Sequence, residues 1–282
     1  MKASERVHIR SERGARILLW AGILGTGAFY LVPYAWIFLT SIKSDSDLFE
    51  TPPIIIPANP VFRYAAVFFS PKLYFTLINS VIVGTVTTLV TLALVIPASY
   101  ALVRFRIKGR STLLLLFLVL MLFPPISFLG YLFNLIKGMG LFDNVIGVIL
   151  PYIALNIPLG IWVLTSFIKS VPVEMEEAAV VDGADRLDIM RKIVFPLIGP
   201  GIAAAALIVF ITSWNEFMIA LTLTISRAET IPIGIYMFMG VYTMNWGDVA
   251  TATILASLPV VVAAVIAQRL IVRGLTAGAV KG

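Results

Sequence analysis

Hydrophobic residues gather into six long stretches without Asp, Lys, Arg or His, and only one of these stretches contains a glutamate. The helical spans predicted within them are 17–42, 73–103, 111–136, 144–168, 200–226 and 249–268. About 20 apolar residues in a helix cross a bilayer interior about 30 Å thick, whereas stretches of about 10 to 14 are typical of buried core helices. No segment alternates like a strand of a membrane barrel. The pattern predicts an all-α membrane protein with six transmembrane helices.

Proline lies inside five of the six predicted spans, and the third span carries the adjacent pair Pro124 and Pro125. A proline removes one helix hydrogen bond and kinks the segment, which neighbouring helices tolerate in a membrane bundle. Kinked helices suit a transport pathway, although proline is also generally common in transmembrane helices.

Composition supports the membrane interpretation. Of the 282 residues, 60% are hydrophobic and 13% are charged, against about 25% charged in an ordinary soluble domain. The absence of cysteine excludes disulfides and thiolate metal sites, and the one histidine, His8, lies in the polar N-terminal arm. We expect an arm over 1–16, one membrane domain over 17–282 and no metal site.

The cations predict the orientation of the chain. Sixteen of the 21 Lys and Arg residues lie in the N-terminal arm, the second and fourth loops and the C-terminal tail. These segments share one side of the membrane, which the positive-inside rule identifies as the cytoplasm. Both termini are therefore expected in the cytoplasm. Because the cations are spread over four membrane-proximal segments, no nucleic-acid surface is predicted.

A polar segment of about 30 residues, 169–199, connects the fourth and fifth spans. Pro172 suits the start of a helix, and acidic residues follow in the opening turn, where the helix dipole favours them. Gly183 can end that helix in the left-handed conformation, and Asp185 is suited to cap a second helix. The spacing predicts a helix, a glycine turn and a helix at the cytoplasmic surface.

The segment Glu177-Ala178-Ala179, followed by Gly183, Ile193 and Pro196, resembles the loop by which permease subunits of ATP-binding-cassette (ABC) importers dock onto their ATPases. The run 176–185 resembles the carbohydrate branch, of the maltose and glycerol-phosphate type. The resemblance implies a type I ABC importer permease fold and a coupling helix. It assigns ATPase coupling to Glu176, Glu177, Ala178, Ala179, Asp182, Gly183 and Ala184. The alternative is an ordinary amphipathic hairpin that covers helix ends.

The resemblance also implies partners within a prokaryotic inner membrane. These are a second, similar permease (a heterodimer), two ATP-binding subunits and an extracytoplasmic sugar-binding protein, with membrane lipid around them. No phosphate loop occurs, because Ala28 follows Gly27 where lysine is needed. No cofactor is therefore expected on this chain, and ATP with Mg belongs to the partners. The tail, with Gly278, Lys281 and Gly282, is a candidate ATPase contact.

Glu216 is the only ionisable residue within a predicted span. Such a group usually faces the bundle interior or a wet cavity. Three roles remain open for it: a polar contact between helices, lining of the substrate path and a proton relay. Trp214, Asn215 and Asn156 offer stacking and hydrogen bonding of the kind that sugars use, and they are further candidates for the path.

Two functions from different classes follow. The first is a non-enzymatic permease subunit of an ATP-driven, binding-protein-dependent sugar importer, and the second is a proton-coupled transporter that uses Glu216. The second class typically shows internal repeats, and none is evident here. An intramembrane enzyme would need a nucleophile with a base, or a metal cluster, within the spans.

Overall fold

The computed structural model describes residues 2–240 and 245–279. Its helices in chain order are α1 (Lys2–Ser41), α2 (Tyr64–Phe68), α3 (Pro71–Arg104), α4 (Arg110–Leu122), α5 (Leu129–Gly138), α6 (Val145–Lys169), α7 (Val173–Val181), α8 (Arg186–Ile189), α9 (Phe195–Leu197), α10 (Gly199–Asn215), α11 (Met218–Leu223), α12 (Ile231–Tyr236) and α13 (Trp246–Ala279). A 3-10 turn, Pro125–Phe128, precedes α5, and a π turn, Met190–Val194, joins α8 to α9.

Four of these helices are individually long and apolar enough to cross a membrane: α1 over Leu18–Ser41, α3, α6 and α13 over Trp246–Val272. Two bent pairs raise the number to six if each pair is one span. The all-helical, multi-span fold expected from the hydrophobic pattern is confirmed. Helix α3 occupies 71–104 where the sequence predicts 73–103, and α6 occupies 145–169 where it predicts 144–168.

The third span is sharply bent. Helix α4 and the segment Pro125–Gly138 meet at 88°. The adjacent Pro124 and Pro125 cause the break, because neither has an N–H for the helix ladder and each disfavours the helical conformation of the residue before it. The kink expected at these prolines is thus a near-right-angle turn.

The prediction of one continuous helix over 200–226 is wrong. The structure has two helices there, α10 and α11, separated at Glu216 and Phe217. Glu216 has extended backbone (φ −71°, ψ 125°), and its carboxylate binds N–H groups of the next turn. Side chains that bind nearby backbone groups compete with the helix ladder, which is the physical reason for the break.

The chain forms two compact units. The first comprises the described parts of residues 1–68 and 238–255. In it, the Ser41 hydroxyl lies 2.7 Å from that of Tyr64, and the Thr251 hydroxyl donates to the Ser41 carbonyl at 3.3 Å. Arg63 pairs with Asp45 at 2.8 Å. The end of α1 is thereby tied to the start of α13 within this unit.

The second unit comprises 69–237 and 256–282, as far as these are described. Its core has two buried clusters. One joins α3 and α6 to the 169–199 segment and includes Val95, Ile161, Leu164, Ile189 and Val194. The other joins α3, α5, α6 and α11 and includes Val83, Leu132, Val148, Tyr152 and Ile219. The 169–199 segment is therefore packed against the spans rather than hanging free as a connector.

Candidate functional site: the polar hairpin and the polar cavity

The segment 169–199, which we call the polar hairpin, begins with α7 and a tight turn. Gly183 has φ +85°, the left-handed conformation expected from the sequence. The Ala184 N–H donates to the Ala179 carbonyl at 2.9 Å, and the Gly183 N–H donates to Val180 at 3.0 Å. This pair of bonds satisfies the last carbonyls of α7 and reverses the chain.

The second half of the polar hairpin starts at a side-chain cap. The Asp185 carboxylate accepts the Asp188 N–H at 2.7 Å, as its position before the helix suggests. Helix α8 continues into the π turn and α9, and this stretch meets α10 at 76°. Ile189 and Val194 are fully buried, so apolar side chains hold this half on the core.

The residues predicted to couple to an ATPase fall into two groups. Glu177, Ala178, Asp182 and Gly183 are exposed, whereas Ala179 and Ala184 are half-buried. Apolar side chains beside them are exposed as well: Val173, Met175, Val180 and Val181, the last of them 87% exposed. Such a patch rimmed by polar groups is typical of an interaction surface. We call this surface of α7 and its turn the docking face.

Glu176 differs from its neighbours because its carboxylate is buried. It accepts a hydrogen bond from the Tyr100 hydroxyl at 2.8 Å and one from Arg104 Nε at 2.7 Å. Arg104 Nη2 also donates to the carbonyls of Ile168 and Val171, at 3.1 and 2.8 Å. Glu176 therefore binds groups within the chain, and the prediction of a direct ATPase contact applies only to the exposed residues.

A cavity of about 220 Å³ lies among α4, α6 and α10. Its polar lining consists of Tyr152, Asn156, Thr212, Ser213 and Glu216. The Thr212 hydroxyl donates to Asn156 Oδ1 at 2.6 Å, and Asn156 Nδ2 donates to the Tyr152 carbonyl at 2.8 Å. The Ser213 hydroxyl is buried and has no hydrogen-bond partner among the described residues. Thr212 is exposed and Glu216 is half-buried, so these two side chains present oxygen atoms to the cavity.

The four residues proposed for the substrate path are not all in this cavity. Glu216 and Asn156 line it. Trp214 is buried and packs on Phe210, with ring centroids 5.4 Å apart. Asn215 is exposed, and its Nδ2 donates to the Ile211 carbonyl at 3.0 Å. The path role of Trp214 and Asn215 stays a prediction that the cavity does not support.

Asp143 organises a separate loop, 224–230. One carboxylate oxygen accepts the N–H groups of Ile225, Arg227 and Ala228 at 3.0 to 3.2 Å. Burial favours the neutral acid, but the backbone donors from Ile225 through Ala228 together hold the pKa of Asp143 below its ordinary value. Burial and then repulsion by Asp143 raise the pKa of the buried Glu229. The folded protein therefore favours the ionised form of Asp143 and the neutral form of Glu229.

The C-terminal tail lies largely outside this description. Gly278 belongs to α13, whereas Lys281 and Gly282 lie outside the described residues. The predicted ATPase contact of this tail stays a prediction.

Several residues of these sites were not singled out from the sequence, among them Tyr100, Arg104, Tyr152 and Asp143. Arg104 was counted only as a cation of the second loop, and Tyr100 lies in the second predicted span with nothing to distinguish it. Tyr152 and Asp143 bind residues 64 and more than 80 positions away. Local spacing carries no information on such pairs.

A sequence profile of the "Binding-protein-dependent transport system inner membrane component" family matches residues 90–277. The chain belongs to this family, which makes it the inner-membrane component of such a system. This membership favours binding-protein-dependent transport over the proton-coupled alternative.

Two curated relatives are similar over almost their whole length. The trehalose/maltose transport system permease protein MalG of Thermococcus litoralis is 37% identical over 278 residues, 97% of this chain and 100% of the relative. The trehalose transport system permease protein SugB of Mycobacterium tuberculosis is 38% identical over 275 residues, 95% of this chain and 100% of the relative.

A solved structure shares the fold. It is a chain of a bacterial ABC transporter involved in the import of the acidic polysaccharide alginate, with a TM-score of 0.74 and 23% identity. The match covers 92% of this chain and 97% of that one. The fold is therefore that of an ABC importer permease.

Proposed function

We propose that this chain is the permease subunit of an ATP-driven sugar importer that depends on an extracytoplasmic sugar-binding protein. The observation that carries the proposal is the docking face, an exposed apolar and acidic surface on the polar hairpin of a chain that belongs to the binding-protein-dependent family. The curated relatives named for trehalose and maltose indicate a sugar of the disaccharide class as substrate.

Two ATP-binding subunits supply the energy in this proposal. Glu177, Ala178, Asp182 and Gly183 are exposed on the docking face, where a partner surface can reach them. The chain carries no phosphate-binding loop of the G-x-x-x-x-G-K-[ST] form. ATP and Mg then bind to the partners, and this chain moves in response without being an enzyme itself.

A second permease subunit, a distinct chain in our proposal, completes the translocation path. The most hydrophobic window of α1 is not buried within this chain, which leaves it to be covered by lipid or by a partner helix. The cavity of about 220 Å³ is also smaller than the roughly 300–1,000 Å³ typical of ligand pockets. Both observations support a path for a disaccharide whose walls come in part from a second subunit.

The proposed orientation places both termini and the polar hairpin in the cytoplasm. Sixteen of the 21 Lys and Arg residues support it through the positive-inside rule. The same orientation puts the loop organised by Asp143 and the first loop, residues 43–63, on the outer side. These loops are the surfaces of this chain that the sugar-binding protein can approach.

Reconstitution into proteoliposomes tests the proposal. The chain is combined with its second permease, the ATP-binding subunits and the binding protein, and uptake of labelled trehalose and maltose is measured. We expect uptake only when ATP and the binding protein are both present. Omission of ATP with an imposed pH gradient is the matched control, and uptake driven by that gradient alone would overturn the proposal.

A further inference from the structure

We infer that Arg104, Glu176 and Tyr100 form a buried joint that fixes the orientation of α7 relative to α3 and α6, and so carries movement of the docking face into two spans. The three are positioning residues, since they contact neither nucleotide nor sugar. The inference rests on the proposed function, in which ATP-binding subunits dock on α7.

The geometry of the joint connects three elements. Both carboxylate oxygens of Glu176, on α7, are used: Oε1 accepts from Arg104 at 2.7 Å and Oε2 from Tyr100 at 2.8 Å, both residues of α3. Arg104 reaches the third element with Nη2, which donates to the carbonyls of Ile168, in the last turn of α6, and Val171, just beyond it. A rotation of α7 against either span therefore strains several directional bonds at once.

The joint attaches α7 to the core through directional bonds, beside the apolar contact that Ala179 makes with the same core. Glu176 is the only buried residue of that helix, whereas the second half of the polar hairpin is held by the buried apolar residues Ile189 and Val194. Apolar contacts are non-directional and allow sliding. Charge-assisted hydrogen bonds with a guanidinium and a hydroxyl fix distance and angle as well. The helix on which the ATP-binding subunits dock is thus held to the core by directional bonds.

Burial makes this ion pair different from a surface pair. The side chains of Arg104 and Glu176 are 9% and 5% exposed. The Asp188–Lys192 pair of the same hairpin is 44% and 73% exposed. Water and salt screen exposed pairs strongly and buried pairs much less. Removal of one partner from the buried pair leaves an uncompensated charge, whereas replacing both by apolar residues of similar volume is often tolerated.

The difference between removing one partner and replacing both can separate a positioning role of Arg104 and Glu176 from a merely structural one. We compare Arg104→Met, Glu176→Leu and the double variant in the complete reconstituted transporter. The matched control is the double variant Asp188→Asn with Lys192→Met, because this exposed ion pair lies in the second half of the same hairpin, outside the docking face. Three quantities are measured: co-purification of the ATP-binding subunits, the thermal midpoint of the assembled complex, and sugar molecules transported per ATP hydrolysed.

We expect all four variants to retain the ATP-binding subunits, since the docking face is unchanged. Each single joint variant lowers the thermal midpoint and lowers sugar per ATP at least tenfold. The double variant recovers the thermal midpoint because no lone buried charge remains, but its sugar per ATP stays at least tenfold below the unmodified protein. The control matches the unmodified protein. Recovery of both quantities in the double variant would overturn the inference.

A second measurement applies if the double variant fails to assemble. Because the chain has no cysteine, cysteines introduced at the exposed residues Glu174 and Lys108 carry the only spin labels on the chain. Tyr100→Phe removes the hydroxyl that binds Glu176 and also interacts with Arg186, but it leaves the Arg104–Glu176 ion pair in place. We therefore expect normal assembly with a broader label-to-label distance distribution. An unchanged distribution contradicts the joint.

The outcomes distinguish this inference from the proposed function. If the ATP-binding subunits do not co-purify even with the unmodified chain, the proposed function fails. If they co-purify and the joint variants transport sugar as efficiently as the unmodified protein, only the joint fails.

Discussion

The hydroxyl of Tyr152 donates a hydrogen bond to Oε2 of Glu216 at 2.7 Å, which joins α6 to the break between α10 and α11. The same carboxylate accepts the N–H groups of Ile219 and Ala220 in the first turn of α11. It therefore links two helices, caps a third and lines the cavity. Of the roles left open for Glu216, the contact between helices is present in the structure, and its role in the substrate path stays a prediction.

Glu216→Gln is expected to separate the path role from the structural role. The amide oxygen of glutamine can take the place of Oε2 and accept from Tyr152 and from the backbone of α11, although the bond from Ile219 N–H to Oε1 is lost, so the protein should assemble in near-normal amounts. The negative charge beside the cavity is lost, and we expect reduced sugar uptake. The measurement is uptake per assembled complex, with Ser166→Ala, at an exposed position of α6 outside the cavity, as control. If uptake falls only in proportion to assembly, Glu216 is a structural contact and the path role is wrong.

Glu216→Ala should instead destabilise the protein. It removes the cap of α11 and leaves the Tyr152 hydroxyl without its partner, each of which costs about 1 to 2 kcal/mol. A lower midpoint of thermal unfolding in detergent, relative to Glu216→Gln, checks this expectation.

Gly183→Asp and Ala178→Arg are expected to leave the chain in the membrane but uncouple ATP hydrolysis from uptake. Both positions are exposed, and nothing lies within 4 Å of a Cβ built at Gly183, so the new side chain meets a docked partner and not this chain. The φ of +85° adds backbone strain of about 1 kcal/mol. ATPase activity and uptake are measured together in the reconstituted complex.

Gly109→Asp is the matched control for backbone strain in that comparison. Gly109 has φ +77° with open space around it, but it lies in the loop between α3 and α4. We expect preserved coupling. Normal uptake in Gly183→Asp and Ala178→Arg would reject the docking face as the ATPase contact.

The carboxyls of Asp143 and Glu229 should give opposite dependences of stability on pH. Asp143 has a lowered pKa, so its contribution to stability is present above its ordinary pKa of 3.8 and is lost as the pH falls through the folded value. Glu229 has a raised pKa, so its neutral form favours folding, and stability is lost as the pH rises above 4.5 through the folded value.

At pH 7 we therefore expect Glu229→Gln to raise the midpoint of thermal unfolding and Asp143→Asn to lower it. At pH 4 the gain from Glu229→Gln should disappear, because Glu229 is then largely protonated. Thermal unfolding of the detergent-solubilised protein between pH 4 and 7 checks both. An equal gain at the two pH values would show that Glu229 carries no charge-dependent penalty.

Gly201→Ala should weaken the contact of α10 with α6. A Cβ at Gly201 would overlap the ring and Cβ of Phe167, and such overpacking typically costs about 1 to 3 kcal/mol. Gly199→Ala, two residues away with open space around it, should change stability by less than about 0.5 kcal/mol. The midpoints of thermal unfolding of the two variants test the difference, and equal values would contradict the tight contact.

The hydrophobic pattern predicts the spans well where one helix crosses without polar interruption, as for α3 and α6. It fails at Glu216, where the sequence indicates an unusual residue but not its effect. The break of the helix there depends on how the carboxylate divides its bonds between Tyr152 and the backbone of α11. The bonds to the α11 backbone are local, but the bond to Tyr152 exists only once α6 has packed beside this region.

Two neighbouring residues of the polar hairpin show the same difference between what local sequence predicts and what packing determines. Glu176 and Glu177 are adjacent and chemically identical, and local sequence treats them alike. The helix, the glycine turn, the capping aspartate and the uninterrupted spans could be predicted from local sequence, because they follow from dihedral preferences and hydrophobic periodicity over a few residues. The inward direction of Glu176 and the outward direction of Glu177 depend on packing between distant segments. The partners of Glu176, which are Tyr100 and Arg104, lie 76 and 72 positions earlier in the chain. Only packing of α3 beside α7 brings these donors within hydrogen-bond distance of Glu176.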